Sequence, residues 1–528
     1  MPTASELTYQ TNANAMQMAQ TIFGDGTTVV SASYSGWSQS SGIYSNGDSI
    51  SPTATPSDTG VILSTGRIRD FTNSSGDVND DPNTSTNTPG VNNDPQFNAA
   101  AGTNTYDAAI LDVDFIPDAS TMTMQFVFSS EEYPEFQNSI YQDFVGVWIN
   151  GQQVDLVVGN GDADPGNVNS NTNQNLYIDN TGDAYNTEMD GFTVTMTLTI
   201  PVNPGVVNSI RIGVADVADS SYDSNLLIAA DSLQTDLIAH ADSANVFVGG
   251  AVNIDVLGND TNTSGGTLTI THINGQAVSA GSTITLPTGQ MVTLNANGTL
   301  TYNNDATVGD INFTYTVDNG ANSDTGFVNV SSVPCFVAGT LIRTPAGEVP
   351  VERLRPGDLV ETRDDGAQPL RWIGGRTVAA AGMFAPIRIR GGTYGNHRML
   401  MVSPEHRVLL RDSRAELLFG DAEVLVAAKD LVNGNSVRWA PGGQVTYVHL
   451  MFDRHQVIFS EGLETESFLP GPQTTEIFDA PILQEICAIF PELDPYTGEG
   501  YSPAARRTLR HFEAQLLMAQ TRAQAKAA

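Results

Sequence analysis

Basic residues are almost missing from the first 334 positions: no lysine occurs there, and 36 Asp and Glu face only Arg67, Arg69 and Arg211. A stretch this acidic repels nucleic acid and anionic lipid, which excludes both as its partners. Binding of divalent cations and solubility in salty surroundings are the two uses left, and composition does not choose between them. Cysteine is nearly as scarce. Cys335 and Cys487 are the only two, so no disulfide framework holds the fold, and at most one bridge could join them. Nor does any His/Cys spacing make a zinc site. Long apolar runs are absent as well; nothing reaches the roughly eighteen residues a membrane span needs. The opening MPTASELTYQTNANAMQMAQ has neither a basic n-region nor an apolar h-region. No cleaved N-terminal signal is expected, and any export signal is expected at the C-terminal end.

A chain of 528 residues has room for three or four domains. The first is expected over residues 1–235. After a helix-compatible opening from Glu6 to Phe23, four β-prone runs bounded by turn residues follow: MTMQFVFSS (122–130), DFVGVWING (143–151), FTVTMTLTI (192–200) and SIRIGVADV (209–217). They predict a jelly-roll-like antiparallel β-sandwich. The polar loop from Thr72 to Thr105 is expected to be mobile unless a metal orders it.

Acidic clusters recur at the strand ends of this region. Glu131 and Glu132 follow one strand, Asp143 opens the next, and Asp216, Asp219 and Asp223 close the last. Carboxylates so spaced on loops can converge on a hard cation such as Ca2+, which takes six to eight oxygens. The plain alternative is that they are solvated loop acids. A hydrolase site at Glu131, Glu132 and Asp143 lacks any accompanying nucleophile or histidine. The segments FSSEEYPEF, DFVGVWING, EMDGFTVTMTLTIPV and GVADVADSSYDSNLLI resemble the bacterial choice-of-anchor L domain. That resemblance implies an exported or surface-displayed β-rich module with no particular catalytic activity.

Residues 236–333 show strands of five to seven residues between NG and DNG turns, which reads as a small immunoglobulin-like sandwich. VNIDVLGND, GTLTY and FTYTVDNG are similar to the cadherin-like repeats of bacterial surface proteins. The resemblance implies a spacer and calcium ligands at Asp242, Asp260 and Asp318. A rigid spacer is the reading adopted.

The third region opens at Cys335, the first cysteine of the chain, where the acidic composition ends. Short strands broken by AG, PGD, DDG and IGG turns predict a compact all-β fold over 335–468 that brings Cys335 beside its last strand. A thiolate there could attack the carbonyl of Pro334, turning the Pro334–Cys335 amide into a thioester by an N-to-S acyl shift. Nitrogen is a poor leaving group and needs an acid, for which His406 is the candidate. Ser403 and backbone N–H groups could hold the oxyanion. Pro334 constrains the scissile carbonyl and is expected to slow attack. Asp453 and His455, in FDRHQVIF, could orient a proton relay or be structural; His397 and His449 read as structural or surface residues.

CFVAGTLIRTPAG, VERLRPGDLV, LRWIGGR and SPEHRVLL resemble the Hint domain shared by hedgehog autoprocessing domains and inteins. The resemblance implies a nucleophilic role for Cys335 and an amide-breaking role for the Ser403/His406 block. Splicing members end in His-Asn, and here Glu466 and Ser467 stand at those places; a serine cannot cyclise to a succinimide. A one-ended reaction is therefore expected, releasing 1–334 or passing it to an outside acyl acceptor or a cell-surface component. The alternative is a calcium-binding adhesive surface protein with an inactive Hint domain. Beyond it, a C-terminal extension (469–528) is expected to hold a buried Cys487 in ILQEICAIF and a short helix starting at Ser502-Pro503. Leu509, Phe512, Leu516 and Leu517 would share one helix face, with Arg506, Arg507 and Arg510 on others.

Overall fold

The computed structural model describes residues 3–137, 139–159, 161–246, 251–304, 311–332, 335–380, 385–469, 490, 501–509, 513–514 and 516–518. The chain is mainly β, with three sheet-built bodies in chain order and few short helices.

The front body is a sandwich of two antiparallel sheets. One runs Thr8–Gln10, Ser41–Ser45, Thr59–Ser64, Ser224–Ala229, Thr121–Ser130, Gly191–Thr193, Tyr177–Asp179, with Met196–Pro201 also on Thr121–Ser130. The other runs Thr27–Ser35, Thr105–Pro117, Asn208–Val217, Phe144–Ile149, Gln152–Gln153. Alternate residues such as Phe126, Phe128, Leu226 and Ile228 meet Leu111, Val147 and Ile212 in the core between the sheets. Each of the four predicted runs is strand, though FTVTMTLTI divides into Gly191–Thr193 and Met196–Pro201.

Two local expectations need correcting. The helix expected from Glu6 is confined to Ala15–Ile22, because Thr8–Gln10 pairs with Ser41–Ser45 and Asn14 starts the helix with a reciprocal cap to Gln17. The polar loop after Thr72 is tied down by hydrogen bonds of its own. Its backbone N–H groups donate to buried carboxylates: Asp80 and Asp81 to Glu188, Thr86 to Asp223, Thr88 to Asp107. It also contains the helix Pro95–Ala101, capped by Asp94.

The middle body is a smaller sandwich. Its sheets run Asp242–Val246, Ser323–Ser332, Ile311–Asp318, Thr269–Ile273, Gln276–Ala277 and Ala251–Ile254, Leu300–Asn303, Met291–Leu294, Thr283–Thr285. It packs on the front body through more than its connection. Phe327 joins the front core, Gln125 donates to the Ser323 carbonyl at 2.9 Å, and Asn274 and Asn175 bridge the two bodies at 2.8 Å. These contacts give the expected rigidity of the spacer a physical cause.

In the third body one sheet runs Trp372–Ala379, Gln444–Met451, Phe336–Val337, Leu400–Val402, Ile387–Ile389, Val437–Trp439. A second has Val457–Ser460 and Leu463–Glu466 at its centre. The C-terminal residues complete this sheet: Arg507–Thr508 lies parallel to Glu423–Ala427, and Leu509, Ala514 and Leu517 enter the core. Helical residues come only at 513–514 and 516–518, later than the expected start at Ser502. Strand pairing at 507–508 and the ion pairs of Arg506 with Glu423 and Asp364 hold the chain extended there. Leu516 is exposed. Phe512, Arg510 and Cys487 lie outside the described residues.

Candidate active site

Cys335 is placed by the two-residue strand that follows it. Phe336 pairs with Val402 on one side and Val448 on the other, so the cysteine sits at the middle of a sheet. Ser403 then grips its backbone from both ends: the Ser403 Oγ accepts the Cys335 N–H at 2.7 Å, and the Ser403 N–H donates to the Cys335 carbonyl at 2.9 Å. The same hydroxyl lies against the thiol. Cys335 is 4% exposed, and burial pushes its thiol well above the usual range.

His449, read from sequence as structural or surface, is the imidazole that meets the nucleophile. Its Nε2 stands 3.4 Å from the Cys335 Sγ, and its ring meets Phe468 edge-on at 5.6 Å. The signal lies in the strand Gln444–Met451: Val445, Tyr447 and Met451 all pack in the cluster that contains Cys335, and His449 has the same alternation.

His406 follows Ser403 in a turn closed by its own N–H to the Ser403 carbonyl at 3.1 Å. Its ring rests against Phe336 at 4.3 Å, and neither ring nitrogen has a hydrogen-bond partner among the described residues. Burial lowers its pKa to about 4 against the opposing pull of Glu466. At neutral pH it is therefore an uncharged imidazole.

Behind these residues lies an ion network that includes the place where a splicing domain would have its terminal pair. Glu466 is fully buried, yet it is ionised. Burial alone would raise its pKa, but Arg407 at 3.2 Å and His455 at 3.5 Å hold it down to about 2. The Ala505 N–H donates to His455 Nδ1 at 2.9 Å, so the ring proton is on Nε2, facing the Ser467 carbonyl at 3.1 Å. Ser467 is locked to Gln456: its Oγ accepts the Gln456 N–H at 2.9 Å and its own N–H donates to the Gln456 carbonyl at 2.8 Å. Asp453 stands apart at the surface, paired with Arg371 at 3.3 Å. His397 accepts the Tyr394 N–H in its own loop at 3.2 Å. Pro334 lies outside the described residues.

The six acids singled out in the front body do not converge on one centre. Asp143 is fully engaged, accepting from the Val217 N–H at 3.0 Å and the Ser224 hydroxyl at 2.8 Å, with Asp216 beside it. Burial pushes both carboxyls far up; the charge of Asp216 adds to it at Asp143, and the charges of Asp223 and Asp107 add to it at Asp216. Glu132 accepts the Asp143 N–H at 2.9 Å, and Asp219 is exposed, accepting the Ser221 N–H in a turn. The Glu131 backbone N–H donates to the Asp223 carbonyl at 3.2 Å. In the middle body Asp260 accepts from the Tyr315 hydroxyl at 2.8 Å, near Asp242, whereas Asp318 is spent on the Gly320 N–H. Among the described residues no three His, Cys, Asp or Glu side chains are grouped to hold a metal ion.

The sheet-centred cysteine, its serine clamp and the histidine beside it lie in the region that the model of an autoprocessing-type family matches. The Hint domain family matches residues 334–472, the choice-of-anchor L domain 6–234 and the bacterial Ig domain 234–331. Along the chain the matches run choice-of-anchor L, bacterial Ig, Hint. Among solved structures it is similar to the gp41-1 intein, with 11% identity over 25% of this chain and 97% of that one (TM-score 0.17). It is also similar to extracellular domains 3–5 of Drosophila OTK, with 10% identity over 63% of this chain and 86% of that one (TM-score 0.15). No curated protein matches. No helix among the described residues is long and apolar enough to cross a membrane.

Proposed function

We propose that this is an exported, surface-displayed protein whose Hint domain breaks the Pro334–Cys335 bond and releases or transfers residues 1–334. The observation that carries this reading is the double grip of Ser403 on Cys335 with His449 Nε2 against the thiol. His449 accepts the proton of Sγ, and the thiolate attacks the Pro334 carbonyl carbon. A C–S bond forms, the C–N bond breaks, and the Cys335 nitrogen gains a proton. Ser403, already hydrogen-bonded to that nitrogen, is the route by which the proton taken up by His449 reaches it, while His406, an uncharged imidazole at neutral pH, stands on the same turn. Water, an amine, a hydroxyl or a thiol then takes the acyl group. The C-terminal junction stays closed, because Ser467 cannot form a succinimide and its hydroxyl and N–H are both engaged by Gln456.

Intact mass after incubation with and without a thiol nucleophile tests this. Fragments corresponding to 1–334 and 335–528 are expected from the native chain and not from Cys335→Ala. Persistence of the full mass in both proteins sinks the reading. It would favour the second one, an adhesive surface protein with an inert Hint cap, to which the burial of the Cys335 thiol already lends support.

A further inference from the structure

The front body buries a set of oxygen atoms to which no close, well-aligned hydrogen bond is made among the described residues. Strands Thr121–Ser130 and Ser224–Ala229 are antiparallel, with Ser130 opposite Ser224 and Ser129 opposite Asn225. The Glu131 N–H donates to the Asp223 carbonyl at 3.2 Å, extending this register by one step. Side chains alternate along a strand, so Ser129, Glu131, Asp223 and Asn225 share one face as two adjacent cross-strand pairs. All four are at most 3% exposed. Ser129 Oγ, both Glu131 carboxylate oxygens, Asp223 Oδ2 and Asn225 Oδ1 lack any hydrogen-bond partner among the described residues.

Buried carboxylates need a proton or a cation, and this body has few cations to give. Arg69 is paired with Glu6, Arg211 with Asp94 and Asp112, and Arg67 lies over Trp37. None of them pairs with Glu131 or Asp223. Asp223 Oδ2 reaches its place because residue 66 is glycine: a Cβ there would lie 1.7 Å from it. Asp143 has both oxygens engaged and Asp219 is turned into its own loop, whereas Asp216, beside Asp143, keeps one buried oxygen without a hydrogen-bond partner among the described residues.

We propose that Glu131 and Asp223, with Asn225 Oδ1 and Ser129 Oγ, bind one hard divalent cation, Ca2+ by ligand chemistry, on this face of the front domain. Two carboxylates, an amide and a hydroxyl suit calcium, which accepts mixed oxygen ligands in irregular geometry; water and backbone carbonyls complete its shell. The two-carboxylate composition agrees with the absence of any three-acid group. The strap over the site is the polar loop, whose Thr86 N–H holds the other oxygen of Asp223 at 2.6 Å.

Calorimetric titration of the chelator-stripped full chain with CaCl2 reads binding, and thermal melting with and without CaCl2 reads stabilisation. Saturable binding and a rise in melting temperature are expected. Glu131→Gln and Asp223→Asn are expected to weaken binding about tenfold or more, while Asp219→Asn leaves it unchanged. Glu131→Gln conserves shape and removes a buried acid, so it is the variant expected to fold. No heat and no melting shift at millimolar Ca2+ overturns the proposal, as does binding that survives both Glu131→Gln and Asp223→Asn undiminished.

Discussion

The front body and the Hint body both bury carboxylates, and the two sets titrate in opposite directions. Glu131 and Glu132 are raised to about 9 and about 10, by burial first and by neighbouring carboxylates second. Glu466, buried as deeply, is held at about 2 because Arg407 and His455 outweigh the same burial. Burial therefore does not decide the charge of an acid; the supply of counter-charge does, and here it was distributed by composition. The front body spends its arginines elsewhere, whereas the Hint domain brings one to its buried site.

The comparison is tested most broadly by pH. A carboxyl raised on folding contributes its stability in full below its unfolded value of about 4.5 and loses it as pH climbs to the folded value. For Glu131 and Glu132 that window extends to about 9 and about 10. A depressed one such as Glu466 contributes in full above about 4.5 and loses it as pH falls toward about 2. Calorimetry of the full chain in chelator should show the front transition falling in temperature from pH 5 to 9. The Hint transition should instead fall toward acid, first below about pH 6.5, where the unfolded chain protonates His406 and the fold does not, and further below pH 4.5 through Glu466. Two transitions moving together across both windows would break the contrast.

A single substitution sharpens it. Arg407→Met strands Glu466 as a buried, uncompensated charge and is expected to cost the Hint transition about 3 kcal/mol in a denaturant melt. Adding Glu466→Gln should recover much of that loss. An unchanged midpoint in the single variant would mean that His455 alone suffices.

Within the Hint domain the contrast narrows to two histidines that sequence did not separate. His449→Gln should slow fragment appearance about a hundredfold, as expected for loss of a general base, while His397→Gln leaves it unchanged. Equal slowing in both would remove His449 from the mechanism.

Strand runs such as MTMQFVFSS were legible because alternation and turn residues are local signals. The Cys335 block was legible for a similar reason, since Ser403 and His406 share one short turn. His449 went unread because it meets Cys335 only through the pairing of Phe336 with Val448, a contact set by register. The same holds for the acids. Six could be named from spacing, but which of them converge depends on Ser129 standing opposite Asn225. The helix Pro95–Ala101 did have a local mark, Asp94 before Pro95, hidden in a run of polar residues. The tail misled because its apolar spacing fits a helix, while Arg506 and Arg507 have partners that hold them extended.

The smallest effect concerns how the tail supports the network that the front body lacks. The Ser502 Oγ accepts the His455 backbone N–H at 2.7 Å, and three residues on the Ala505 N–H fixes the tautomer that turns His455 Nε2 toward Glu466. Ser502→Ala leaves one buried N–H unpaired and should cost about 1 kcal/mol, lowering the Hint transition by about 2–4 °C. The front transition should not move. Because Arg407 still holds Glu466, the acid limb of the Hint domain should keep its position; a shift of that limb toward higher pH would show that the tail, through His455, shares in holding the charge.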